Sequence, residues 1–379
     1  MSGAGSAGLF GGVYAQRRVL VTGHTGFKGS WLALWLTQLG AEVVGVALDP
    51  PTQPSHFEAC GAASGITDLR QDVREFQALR DAMQAHRPEI VFHLAAQSLV
   101  GAGYADPRGT FEVNVMGTVN VLEAARLCPS VQTVVVVTSD KTYRNLGWEW
   151  SYREADALGG HEPYGGSKAC AELVAEVYGH KGFQAHAAAP RAFAVATTRA
   201  GNVIGGGDWS AARLVPDFVR AAMTGGELVL RNPHATRPWQ HVLDCLSGYL
   251  QLAARLHAAP EDYAGAWNFG PADSDAMAVE GVVRGLMEQW PQARTRVVMS
   301  PDPAGREAQA LRVDSSRAIH RLGWRPCWKL DEALRATAEW YRGAAEEHGQ
   351  GPGAMRGTTL AQISAYVAAA RGAGIGWAA

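Results

Sequence analysis

The segment Arg18–Gly29, RVLVTGHTGFKG, constrains the fold more than any other stretch of the chain. Arg18–Thr22 is a short β-branched run, which predicts a buried strand. Gly23, Gly26 and Gly29 follow at intervals of three, and an apolar-periodic stretch from Ser30 to Leu39 then predicts a helix that Gly40 ends. Glu42–Leu48 predicts a second strand, completing one βαβ unit. Such a loop lets an anion meet bare backbone at a helix N-terminus, where free N–H groups and the helix dipole favour negative charge. The first glycine permits the tight turn, the second the approach of a pyrophosphate, and the third the packing of helix on strand. The predicted dinucleotide contacts of the loop are Gly23, Thr25, Gly26, Phe27, Lys28 and Gly29. Asp49 closes the second strand, 20 residues after Gly29. A carboxylate there accepts hydrogen bonds from an adenosine ribose and repels a 2′-phosphate, which favours NAD over NADP.

The alternation continues. Phe76–Ala85 predicts a helix, Glu89–Leu94 a strand, Thr110–Leu127 a helix, Gln132–Thr138 a strand buried on both faces, and Tyr164–Gly179 a helix. Gln184–Ala196 predicts a strand interrupted near Pro190. The expected fold class is α/β: a Rossmann-type doubly wound parallel sheet with a smaller, mixed C-terminal substrate domain. Beyond Arg199 the texture changes, with helices predicted around Leu214–Met223, Val242–Leu256 and Ala276–Trp290, and a strand at Trp267–Pro271. The expected organisation is a disordered leader over 1–16, an NAD-binding domain over 17–200 to which part of 230–260 returns, a mainly substrate-binding domain over 201–346, and a linker with a last helix over 347–379.

Composition excludes several classes. A net charge of −2 carries no electrostatic footprint for nucleic acid or an anionic membrane. No apolar run reaches the length of a membrane span, and the Gly/Ala/Ser-rich start lacks the pattern of a signal peptide. The five cysteines, Cys60, Cys128, Cys170, Cys245 and Cys327, are too scattered for a metal knuckle or a redox pair, so no metal is expected and reduced thiols fit a cytoplasmic protein.

The catalytic candidates lie at one end of the predicted sheet. Tyr164 and Lys168 are four residues apart, hence on one helix face, and a nearby cation is expected to lower the phenol's pKa and make it a usable base. Ser139, Asp140 and Lys141 follow directly on the buried strand, at the carboxyl end where ligands sit in open parallel sheets. Ser139 can hydrogen-bond a substrate hydroxyl beside Tyr164. Asp140 and Lys141 add an acid and a base that simple hydride transfer does not need.

With these residues in place, TGHTGFKG, Tyr164 and Lys168 resemble the extended short-chain dehydrogenase/reductases. HLAAQ from His93, TSDKTYRN from Thr138, YREADALGGHEPY from Tyr152, SKACAEL from Ser167, RAGNVIGGGDW from Arg199 and RNPHATRPWQHV from Arg231 resemble the CDP-D-glucose 4,6-dehydratase family within them. The similarity runs from about Val19 to Trp340. It implies an internal redox reaction with NAD as cofactor and a nucleotide sugar, CDP-glucose, as substrate. Tyr164 would take the proton of the sugar 4-hydroxyl, Asp140 would protonate the departing 6-hydroxyl, and Lys141 would stand where dTDP-glucose dehydratases carry a glutamate as C5 base. A lysine serves there only if part of it is neutral, which burial or Lys168 nearby would promote. The resemblance also implies cofactor contacts at Asp72, Val73, Leu94, Ala95 and Ala96, with Tyr164 and Lys168. It implies substrate contacts at Gln97, Ser139, Asn202, Arg213, Arg231, Arg237 and Asn268, the arginines suiting a pyrophosphate. A homodimer pairing the helices Thr110–Leu127 and Tyr164–Gly179 is a further implication.

The chain departs from that family at Ser98–Tyr104, where glycines at 101 and 103 replace a basic residue and a serine. It departs again at Gly165, where a serine is expected, and at Gln309-Ala310, where His-Tyr is expected. These positions bear on the sugar or the base more than on the redox chemistry. A 4-epimerase or a dehydratase for another sugar nucleotide would also use Tyr164 and Lys168, and a non-catalytic NAD-binding regulator would need neither.

Overall fold

The computed structural model describes residues 8–186, 192–272, 276–300, 311–347 and 351–379. Strands β1 (Arg18–Thr22), β2 (Glu42–Ala47), β3 (Thr67–Arg70), β4 (Ile90–His93), β5 (Thr133–Val137) and β6 (Ala194–Ala200) join a last strand, Gly265–Phe269, in one parallel sheet. The order from the late edge is Gly265–Phe269, β6, β5, β4, β1, β2, β3. The order of strand addition therefore reverses between β1 and β4, which opens a crevice at their carboxyl ends.

The period of two in the strands explains the layering. Val19, Val21, Ile90, Phe92, Val135 and Val137 bury against helix α1 (Phe27–Gln38) and the helix Val242–Ala258. Leu20, Val91, Val134 and Val136 bury on the opposite face against Leu79 and Met83 of helix Phe76–His86, and Val121 and Leu122 of helix Gly117–Arg126. Both faces are covered, so the strands read as continuous apolar runs. The smaller C-terminal part is mixed. It pairs Val203–Ile204 with Gln240–His241 and Glu227–Leu230 with Arg296–Met299 in parallel, and Thr236–Pro238 with Ala276–Ala278 antiparallel.

Several expectations need correction. Residues 1–7 lie outside the described residues, but Gly8–Gln16 is not a disordered leader. Leu9, Phe10 and Tyr14 are buried, Phe10 stacks on Trp377 with centroids 4.7 Å apart, and the Tyr14 hydroxyl donates to the Leu250 carbonyl at 2.5 Å. Three large apolar side chains decide the matter over a glycine-rich composition. The strand expected from Gln184 begins only at Ala194, because Lys181–His186 is a short helix; Pro190 lies outside the described residues. The return to the sheet extends past 230–260. Helix Val242–Ala258 packs on β5, β6 and α1, and Gly265–Phe269 is the edge strand beside β6. In the last helix, Arg356–Gly372, Ile363, Tyr366 and Val367 enter the same core as Trp35. No described helix is long and apolar enough to cross a membrane.

Packing of the N-terminal segment gives a direct test. Phe10→Ala should lower the free energy of unfolding by about 3 kcal/mol through lost burial and the cavity left under Trp377. Chemical denaturation measures this, and an unchanged midpoint would contradict the packing described.

Candidate active site

The crevice is built around the carboxyl ends of β1, β4 and β5. Gly23 adopts φ +77°, and a Cβ there would lie 2.7 Å from the Ala95 amide nitrogen. A Cβ on Gly29 would lie 2.1 Å from the Gly23 carbonyl oxygen. The glycines thus bring the loop, α1 and the end of β4 together backbone to backbone. Gly26 is the N-cap of α1, and the first turn holds no acidic residue but does hold Lys28. First-turn amides free of intrahelical partners, no side chain over them and a neighbouring cation form the donor set that a dinucleotide pyrophosphate requires. The residues present fit NAD. Thr25 latches the loop through a hydrogen bond from its Oγ1 to the Leu48 carbonyl at 2.9 Å.

A directed hydrogen-bond chain fixes Leu94–Ala96. The Ala95 amide donates to Thr22 Oγ1 at 3.2 Å, and Thr22 lies 2.7 Å from His93 Nδ1. His93 Nε2 lies 3.1 Å from Thr118 Oγ1, whose own proton goes to the Asn114 carbonyl at 2.7 Å. Because that hydroxyl proton is spent, Nε2 must be the donor and Nδ1 the acceptor. Burial, with Lys168 nearby, pushes the ring down to about 3, so His93 is neutral and structural. Asn114 sits in a π-helical turn, Glu112–Met116, and its side chain accepts from the Gln97 amide at 2.8 Å while donating to the Gln97 carbonyl and to Ser167 Oγ. Ser167 in turn donates to the Tyr164 carbonyl at 2.7 Å.

Ser139, Asp140 and Lys141 form a single 3-10 turn, Asp140–Thr142, capped by Ser139. Ser139 Oγ donates to Asp140 Oδ1 at 3.0 Å, and the Tyr164 phenol lies near Ser139. Burial raises the pKa of Asp140 against the opposing pull of Lys141, Ser139, Arg237 and Lys28. Tyr164 and Lys168 are buried in the first two turns of helix Pro163–Gly179, whose N-cap Glu162 accepts from the Tyr164 and Gly165 amides, each at 2.7 Å. Lys168 Nζ donates to the Val137 carbonyl at 2.9 Å, and burial with Lys28 nearby pushes its ammonium down to about 8.

Two expectations about this cluster are corrected. Burial raises the Tyr164 phenol, where a lowered one was expected, against the pull of Ser139 and Arg213, and the Lys168 ammonium is held on the Val137 carbonyl. Lys141 is exposed, so the burial expected to favour its neutral form is absent.

The predicted substrate residues divide. Arg213 donates to Asp208 Oδ2 at 2.9 Å and to Ser98 Oγ at 3.4 Å, and its charge reaches Tyr164. Arg237 is half-buried and its charge reaches Asp140, while a Cβ on Gly201, next to Asn202, would lie 3.2 Å from Asp140 Oδ2. Arg231 is exposed and takes no part in this cluster among the described residues. Gln97 spends its amide oxygen on the Leu99 N–H at 2.6 Å and one amide hydrogen on Thr110 at 2.9 Å. Asn268 is corrected outright. It is fully buried, donates to the Tyr152 and Asp314 carbonyls, and accepts from the Tyr143 hydroxyl at 2.7 Å, so its side chain is spent inside the protein. Asp72 is engaged by Arg74, and Val73 is buried beneath helix Gly117–Arg126. Asp49 is exposed at the end of β2. Gly165 is accommodated closely, since a Cβ there would lie 2.6 Å from the Lys141 carbonyl. Gln309-Ala310 lies outside the described residues.

Sequence reasoning missed the network behind the cluster. Arg199 on β6 meets Glu172 with two bonds of 2.9 Å, Thr197 donates to Glu172 at 2.6 Å, and Thr138 donates to it as well. Arg199 also donates to the Tyr143 hydroxyl at 2.9 Å, which continues to Asn268. The available signal was Glu172 itself: it falls four residues after Lys168 on an apolar helix face, where a carboxylate demands a partner. Arg199→Leu should cost about 3–5 kcal/mol, because Glu172 is then buried unpaired, and the double replacement with Glu172→Leu should cost less than the single one. Denaturant titration of both variants tests this, and a double variant less stable than Arg199→Leu would contradict it.

The chain matches the GDP-mannose 4,6 dehydratase family over residues 20–337. It is 44% identical over 326 residues to the CDP-glucose 4,6-dehydratase of Salmonella typhimurium, covering 86% of this chain and 90% of that one. Among solved structures it is similar to DesIV, a dTDP-glucose 4,6-dehydratase from Streptomyces venezuelae with NAD and TYD bound, at TM-score 0.70 and 25% identity over 86% of this chain and 97% of that one. It is likewise similar to MoeE5 in complex with UDP-glucuronic acid and NAD, at TM-score 0.71 and 26% identity over 86% and 99% of the two chains. A parallel sheet with its glycine loop at the switch point, a tyrosine and lysine one helical turn apart, and these matches agree: the chain belongs to the GDP-mannose 4,6 dehydratase family.

Proposed function

We propose that the protein converts CDP-D-glucose to CDP-4-keto-6-deoxy-D-glucose. The observation that carries this reading is the turn Ser139-Asp140-Lys141, which sets a buried, raised-pKa carboxyl beside the Tyr164 phenol. Hydride exchange at one carbon needs only Tyr164 and Lys168, whereas loss of a hydroxyl needs an acid. The similarity to the Salmonella typhimurium enzyme supports CDP-glucose as the substrate.

In this mechanism NAD, when bound, supplies reversible hydride uptake, leaving C4 and returning to C6, so that it is regenerated. Tyr164 takes the 4-hydroxyl proton, with Ser139 beside it and the Arg213 charge favouring its phenolate. Lys168, fixed on the Val137 carbonyl, holds a positive charge below about 8 at the same helix face. The ketone at C4 acidifies C5–H, Lys141 on the same turn as Asp140 is the base that removes it, and C5 is reprotonated after hydride reaches C6. Asp140, whose pKa burial raises, is the acid that delivers a proton to the departing 6-hydroxyl. Arg213 and Arg237 are the cations that would meet the pyrophosphate.

We also assign the protein a homodimeric state and a cytoplasmic location. Phe111 and Met116 on one helical run, and Leu173 and Val177 on the tyrosine helix packed beside it, are exposed apolar residues on neighbouring helices, a surface that a second copy would cover. The five cysteines are free, which suits a reducing compartment.

Incubation of the protein and NAD with CDP-glucose, and in parallel with the UDP, dTDP and GDP sugars, should give loss of one water from CDP-glucose without net NADH. Conversion of glucose to its 4-epimer without water loss would favour the epimerase reading instead. Asp140→Asn should cut product formation by about 100-fold or more while C4 oxidation, seen as transient NADH absorbance, persists. The ammonium of Lys168 is present below about 8 and is lost as pH rises through that value. The basic limb of kcat/KM should therefore fall near there, and Lys168→Arg, charged throughout, should move it upward; an unmoved limb would remove Lys168 from this role. Leu173→Glu with Val177→Glu should yield monomers in light scattering, and an unchanged mass would sink the dimer assignment.

A further inference from the structure

The proposed reaction leaves one buried histidine without a role. His56 opens the short helix His56–Ala59 and reaches the first turn of α1. Its Nδ1 lies 2.7 Å from Ser30 Oγ, and Ser30 Oγ donates to the Phe27 carbonyl at 3.0 Å. Its Nε2 lies 3.4 Å from Thr359 Oγ1, which accepts from Trp340 Nε1 at 3.0 Å. Burial pushes the ring down to about 3, so it is neutral. With the Ser30 proton spent on Phe27, Nδ1 is the donor, Nε2 is the acceptor, and the Thr359 hydroxyl gives its proton to the ring. The hydrogen bonds therefore run in one direction, from Trp340 through Thr359, His56 and Ser30 to the Phe27 carbonyl. Phe27 is the first residue of α1, directly after the Gly26 cap. Trp340 and Thr359, where the relay starts, lie past residue 337, at which the family match ends.

The same histidine touches the substrate side. Its ring stacks on Trp31 with centroids 4.7 Å apart, and Trp31 Nε1 donates to the Gly206 carbonyl at 3.0 Å. Gly207 has φ +83°, and a Cβ there would lie 2.5 Å from the His56 Cβ, so the loop 205–208 passes against the histidine. Tyr341, next to Trp340 on helix Leu330–Glu346, donates to the Asp208 carbonyl at 2.5 Å, and the Asp208 carboxylate holds Arg213 at 2.9 Å. Arg213 is the cation whose charge reaches Tyr164. One buried ring thus ties the helix end that meets the dinucleotide to the loop that sets Arg213.

We infer that His56 is a positioning residue shared by the cofactor and nucleotide-sugar sites, and that Thr359 of the C-terminal helix fixes its ring. Both ligands need the first turn of α1 and Arg213 in this one arrangement. A chain with the relay broken holds that arrangement only part of the time, and the affinity of each ligand falls by that fraction. Whichever ligand binds first restores the arrangement for the other. This inference rests on the reading of the crevice as a site for NAD and a nucleotide sugar.

The test is calorimetric titration of the full chain with NAD, with CDP, and with NAD in saturating CDP, in the wild type, Thr359→Val and Thr359→Ser. Thr359→Val keeps the volume but takes the hydroxyl away from His56 Nε2 and Trp340 Nε1. It should weaken NAD and CDP by the same factor, about fivefold or more, when each is added alone. Saturating CDP should bring the NAD affinity of this variant back toward that of the wild type, and Thr359→Ser should behave as the wild type. Ser30→Ala breaks the relay at its other end and carries the test if Thr359→Val does not fold by circular dichroism. A merely structural role would lower the melting temperature and leave both affinities of the folded protein unchanged, and that outcome would overturn the inference. So would a loss of NAD affinity alone, or a loss that CDP does not repair. Failure of the wild type to bind NAD or CDP would instead overturn the reading beneath it.

Discussion

The buried pair of Glu172 and Arg199 is the interaction on which the rest of the site depends. Both side chains are only 4% exposed, and neither charge is tolerable in that position alone. Glu172 accepts from Thr138 at the end of β5 and from Thr197 on β6, so it spans the two strands from the tyrosine helix. Arg199 continues through Tyr143 to Asn268 on the edge strand. Thr138 immediately precedes Ser139, and Glu172 lies one turn beyond Lys168. A single desolvated pair thereby sets the acid turn and the tyrosine helix relative to one another. A buried pair contributes little net stability, but it penalises every arrangement that breaks it. Here that penalty buys geometry.

The opposite wall is held by neutral groups. His93, fixed between Thr22 and Thr118, couples the end of β4 to the π-turn that carries Asn114, and Asn114 passes the constraint to Gln97 and Ser167. Keeping His93 neutral matters, because an imidazolium there would add a third cation to Lys28 and Lys168 around the same site. Environment separates the groups of the cluster. Asp140 is raised by burial, Lys168 is lowered to about 8, and Tyr164 is raised by burial against the pull of Ser139 and Arg213.

Much of this was legible in the sequence, for identifiable reasons. β-branched runs such as Val134–Val137 mark strands because they are covered on both faces, and the glycine spacing marks the loop because backbone must meet backbone there. β3 was not legible, since Thr67–Arg70 is a four-residue edge strand with a single apolar residue, Leu69, among polar ones. The N-terminal segment misled because composition averages over Leu9, Phe10 and Tyr14. Asn268 misled because a polar residue on a buried strand can serve the protein's own carbonyls as readily as a ligand. Ser139, Asp140, Tyr164 and Lys168 were legible as a group because the carboxyl ends of successive parallel strands converge, whatever lies between them in sequence. The partners that hold them, Glu172 and Arg199, come from segments whose contact only the folded sheet reveals.

Internal redox dehydration makes a demand that no other reaction of this site shares: the hydrogen removed from C4 must reappear at C6 of the same sugar. CDP-glucose deuterated at C4 should therefore give a 4-keto-6-deoxy product carrying that deuterium in its C6 methyl group, with C5 taking its hydrogen from solvent. Deuterium retained at C4, or lost from the sugar altogether, would contradict the account.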